Sequence, residues 1–128
     1  MVDQERAAAI TIGGEEYQLI LTTRATKEIA KRYGGLENLG TKLMKSENFE
    51  LALEEIIWLI ALMANQSILI YNLHHREEPK PLLTEEEVEL LTSPLELAAY
   101  KDAIMEAMFR GTKRNIESEA DPKNVPVG

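Results

Sequence analysis

The sequence predicts an α+β domain, mainly α, with an N-terminal β-hairpin packed on a helical domain that has one long central helix. Three observations predict it. Gly13-Gly14 separates two short stretches of alternating apolar residues, the pattern of a tight hairpin. Cap residues and stop glycines divide much of the remainder into helices. Residues 56–73 carry no formal charge, and a helix this apolar needs cover on more than one side.

The elements follow in order. The hairpin spans 8–21, with Ile12 facing Glu15, Ile10 facing Tyr17 and Ala8 facing Leu19. That register puts Ala8, Ile10, Ile12, Tyr17, Leu19 and Leu21 on a core face and Thr11, Glu16 and Gln18 on a water face. Thr22 or Thr23 caps a helix over 24–33 with Ala25, Ile29 and Tyr33 on one side, and Gly34-Gly35 ends it. A weaker helix over 36–44, interrupted by Gly40, lines up Leu36, Leu39 and Leu43. The long helix runs over 48–73. The connector HHREEPKP is a loop by its prolines and charges. Thr84 and Glu87 form a capping box for a helix over 85–91. Ser93 and Pro94 open the last helix, 94–110, with Leu97, Tyr100, Ile104 and Met108 on one face. Gly111 is read as its end, with Arg110, Lys113 and Arg114 near its negative pole. Residues 1–111 then form a single globular domain, and 112–128 a flexible C-terminal tail.

Composition narrows the function. The 128 residues suit one domain with a modest core. Cysteine is absent, which removes disulfides and thiolate metal sites. Fourteen basic against 22 acidic residues give a net charge of −8, a surface that repels phosphate backbones and argues against nucleic acid as a partner. The start, MVDQERAAA, lacks the basic and long apolar regions of a secretion signal.

On the long helix, Phe49, Leu53, Ile56, Leu59, Ile60, Met63, Ile70 and Tyr71 fill a broad apolar side. Glu54, Ala61, Asn65 and Asn72 form one opposing stripe, and Glu55 and Gln66 a second polar line. Between the two lines runs a lesser apolar ridge: Leu51, Trp58, Leu62 and Leu69. This ridge is the candidate partner-binding site, because apolar strips rimmed by polar groups mark association surfaces. Packing within the domain is the competing reading. A membrane span is disfavoured by Asn65, Gln66 and Ser67 in mid-helix.

No chemistry suggests itself. His74 and His75 are adjacent and diverge, with no third ligand at a metal-binding spacing. The run Glu85–Glu87 suits a helix N-terminus, where the dipole favours carboxylates. The glycine pairs are turn glycines, not phosphate loops. Catalytic, cofactor and metal residues are therefore assigned to none, and no enzyme is expected.

The opening ITIGGEEYQLILTTRATKEIAKRYGGLENLGTKLM, the segment LLTEEEVELL and the closing AAYKDAIMEAMFRGTKRN together resemble the tail assembly chaperones of long-tailed phages and phage-like particles. The variant they are most similar to is that of Gram-positive bacteria and their prophages, and the likeness runs from about Ala9 to Asn124. The resemblance implies a mostly helical, self-associating, non-enzymatic protein of the bacterial cytoplasm, absent from the finished particle. Its client would be the tape measure protein, kept soluble while the tail tube polymerises around it. In many relatives a frameshifted long form contacts the tail tube protein, and this chain would be the short form. An adaptable apolar surface suits such a task, with Met44, Met63, Met105 and Met108 as candidate contributors, although filling the core is the expected role of any one of them. The alternatives are a structural tail component retained in the particle, such as a connector or terminator, and a small membrane-associated lysis protein.

Overall fold

A computed structural model describes residues 7–45 and 49–120, with side chains placed for 7–39, 41–42 and 52–112. The element order is β1 (Ala7–Ile12), β2 (Glu15–Ile20), α1 (Thr23–Tyr33), α2 (Leu36–Lys45), α3 (Phe49–His74), α4 (Glu85–Leu91) and α5 (Pro94–Ala120). The fold is mainly helical, with the two-stranded antiparallel hairpin packed on the helices.

The hairpin has the register that its glycine loop dictates, Ile12 opposite Glu15 through Ala7 opposite Ile20. Gly13 and Gly14 take φ of 59° and 85°, the left-handed values that a type I′ loop requires at both positions. Local signals also set the helix starts. Thr22 caps α1 through its hydroxyl on the Ala25 amide. Thr84 and Glu87 exchange both bonds of a capping box, and Ser93 and Glu96 do the same ahead of α5.

β2 lies along α3 and β1 along α5, so the hairpin straddles the two long helices. Ala8, Ile10, Ile12, Leu19 and Leu21 meet Ile56, Leu59, Ile60 and Met63 of α3 and Leu97, Ile104, Ala107 and Met108 of α5 in one core. Each fully buried Leu, Ile or Met contributes about 1.5–3 kcal/mol by leaving water. The water face of the hairpin holds only near the turn. At the open end Ala7 and Ile20 are buried as well, where α5 crosses.

Two expectations need correction. Gly111 does not end the last helix; α5 continues to Ala120. The glycine serves close packing instead: a Cβ at Gly111 would lie 2.8 Å from Leu21 Cβ. Hence residues 112–120 are helical rather than tail, and the tail expected over 121–128 lies outside the described residues. Arg110 is likewise not at a helix terminus. It donates to the Ala7 carbonyl and pairs with Glu106 one turn earlier. Three of the methionines take the core-filling role rather than the surface one. Met63 and Met108 are buried and Met105 packs against the core, where flexible thioethers fill space; the Met44 side chain lies outside those described.

Candidate partner-binding groove along the central helix

α3 is buried on more sides than its polar lines suggest. Ile57, Ala61, Ala64 and Ile68 are covered together with the broad apolar side. The polar residues between them bind neighbouring backbone or side chains rather than water alone. Asn65 holds both backbone groups of Leu83, donating to the carbonyl at 2.8 Å and accepting the amide at 2.7 Å. Asn72 repeats the arrangement on Lys80, at 3.1 and 2.8 Å. The two amides thus pin the connector between α3 and α4 onto α3. Gln66, only 4 % exposed, donates to Leu62 O at 3.0 Å and accepts from the Thr22 hydroxyl that also caps α1.

Glu55 is a second buried polar group, 8 % exposed. It accepts from the Tyr33 hydroxyl and lies 3.4 Å from Arg32 Nε and 3.9 Å from Lys42 Nζ. One carboxylate so ties α1, α2 and α3 together, compensated by two cations. None of the three partners was visible in the local pattern, where Glu55 reads as half of an acidic pair with Glu54.

The ridge residues occupy different surroundings. Trp58, Leu62 and Leu69 are each half-buried. Trp58 meets Tyr33 edge-on, with ring centroids 5.9 Å apart, and Arg32 lies over its face at 4.4 Å. The Leu51 side chain lies outside those described, so the structure brings together three of the four predicted residues. They floor an open groove of about 450 Å³, walled by Arg24 and Glu28 of α1 on one side and by residues 82–85 on the other. The walls were not legible in the sequence, because Asn65 and Thr22 set their positions through partners 18 and 44 residues away.

This arrangement suits apolar association. The hydrogen-bonding groups of the floor, Asn65 and Gln66, are engaged within the fold, leaving indole and leucine surface facing outward. The rim carries both signs of charge, on Arg24, Glu28 and Glu85. Further apolar surface stands at the α4–α5 junction, where Leu90 is 74 % and Leu95 83 % exposed.

No group of three or more metal-binding side chains occurs among the described residues. The His75 ring stacks on Tyr71 at 3.8 Å, with Nδ1 2.9 Å from the Tyr71 carbonyl. The stretch Ala52–His74 is long and apolar enough to cross a membrane by composition; in the fold its most apolar side is covered by the hairpin and α5. No family model, curated protein or solved structure matches this chain.

Proposed function

We propose that the chain is a tail assembly chaperone of a long-tailed phage, a prophage or a phage-tail-like particle, and that it keeps the tape measure protein soluble in the bacterial cytoplasm while the tail tube assembles. The proposal joins the resemblance of its sequence to the geometry of its surface. The observation that carries it is the groove over α3, where Trp58, Leu62 and Leu69 present one apolar stripe at helical spacing while the amides beside them are already bonded. An amphipathic helix laid in such a groove reads out as anchors three, four and seven residues apart, the mode a long helical client offers repeatedly. A second copy competes for the same stripe, so self-association and client binding exclude one another there. The work is non-catalytic, and the tail tube protein is a further partner only through a longer form.

Co-expression with the tape measure protein encoded beside it tests the reading. The chain should raise the soluble yield of that client and be missing from purified particles by mass spectrometry. Retention in the particle would favour a structural tail component. The apolarity of Ala52–His74 favours a membrane-associated lysis protein; recovery in the membrane fraction of expressing cells would support that reading instead.

A further inference from the structure

The two edges of the hairpin are closed unequally. The two-residue loop makes Ile12 and Glu15 the first hydrogen-bonded pair, and bonded pairs then alternate along the ladder. The backbone groups turned outward therefore belong to Ala7, Ala9 and Thr11 on β1 and to Glu16, Gln18 and Ile20 on β2. On β1 the outward carbonyls of Thr11 and Ala7 accept from Tyr100 and Arg110 of α5. Among the described residues β2 has no strand beyond it, and the backbones of Glu16 and Gln18 have no partner outside the hairpin.

Beside that open edge runs a groove of about 610 Å³, floored by Ser67, Ile68 and Tyr71 of α3 and bounded by residues 80–82. Its rim carries the carboxylates of Glu15, Glu16 and Glu87 against one ammonium, Lys80, which lies over the Tyr71 ring at 4.4 Å. We infer that this groove takes up an extended, lysine- or arginine-bearing peptide segment as an added strand on β2. Backbone bonds to Glu16 and Gln18 supply the pairing, the carboxylates select the charge, and Ile68 and Leu82 receive small apolar side chains from the inward face. Charge decides the occupant. A second copy would bring the same acidic edge, and a net charge of −8, against its own likeness. The groove shares only Leu82 with the one lined by Trp58 and lies on the other side of the connector, so the inference stands apart from the chaperone reading.

The test is hydrogen exchange by NMR on the full chain, with an acetylated, amidated pentapeptide alternating lysine and valine as the probe. In the free chain the Glu16 and Gln18 amides should exchange fast and those of Tyr17 and Leu19 slowly. Saturating peptide should slow exchange at Glu16 and Gln18 by about tenfold or more, as pairing closes those amides to water. A peptide with glutamate in place of lysine should bind at least about tenfold more weakly at low salt, and Glu15→Lys with Glu16→Lys should reverse the preference. No binding, equal binding of both peptides, or binding without protection at Glu16 and Gln18 would each overturn the inference.

Discussion

Replacing Asn65 and Asn72 by alanine, one at a time, isolates the effect of burial on two similar hydrogen-bond pairs. Each amide grips the connector between α3 and α4 by one donated and one accepted bond. Leu83, held by Asn65, is 4 % exposed, whereas Lys80, held by Asn72, is exposed. Asn65→Ala leaves two backbone groups unsatisfied where water does not readily reach them, at about 1–3 kcal/mol each, or about 2–6 kcal/mol together. Asn72→Ala lets water take over both bonds and should cost about 1 kcal/mol or less. At about 4 °C per kcal/mol for a domain of this size, the first change should lower Tm by about 8–24 °C and the second by under about 4 °C. Urea unfolding followed through Trp58, the only tryptophan, reads both. Equal losses in the two variants would refute the reasoning, because the hydrogen-bond geometry is shared and only burial differs.

Other expectations follow from single contacts. Gly111→Ala should destabilise the fold even though alanine is the better helix former by about 1 kcal/mol; its Cβ meets Leu21 at 2.8 Å, and overpacking costs about 1–3 kcal/mol. A rise in Tm would show that α5 stands farther from the hairpin. Glu55→Gln should cost about 1–2 kcal/mol in urea unfolding by weakening the bonds from Tyr33 and Arg32, and an unchanged midpoint would place that carboxylate at the surface. The phenols of Tyr17 and Tyr100 are both pushed above the ordinary value of 10.0, chiefly by burial and then by nearby Glu15 and Glu96 respectively. Their contribution to stability is complete below pH 10.0 and is lost as pH rises through their higher folded values. Unfolding free energy should therefore fall above pH 10, and Tyr17→Phe and Tyr100→Phe should each flatten that fall; an unchanged slope in both variants would contradict it.

What the sequence made legible was local. The hairpin register follows from a two-residue loop, and the capping boxes at Thr84 and Ser93 each lie within four residues. What it hid was non-local. Gly111 looks like a stop signal until Leu21, ninety positions earlier in the chain, is packed against it. Asn65, Gln66 and Asn72 look like the polar border of a solvent face until the connector and Thr22 bond to them. The ridge itself was readable as Trp58, Leu62 and Leu69 from helical spacing. Its walls were not, since they come from α1 and from residues 82–85. Periodicity finds a stripe; only tertiary bonds decide whether it is capped, as Trp58 is partly by Arg32, or left open.

The central claim is that α3 is core on its broad side and a docking surface along the stripe. Trp58→Asp and Leu62→Asp test it most directly, with Ile60→Asp, at a wholly buried position, as the reference. Sizing by light scattering and thermal melting should be run on all three, with capture of the tape measure protein measured alongside. The account predicts that the first two variants stay folded, with melting far above that of Ile60→Asp, while losing self-association or client capture. Unfolding of all three alike, or full binding by folded Trp58→Asp and Leu62→Asp, would contradict it.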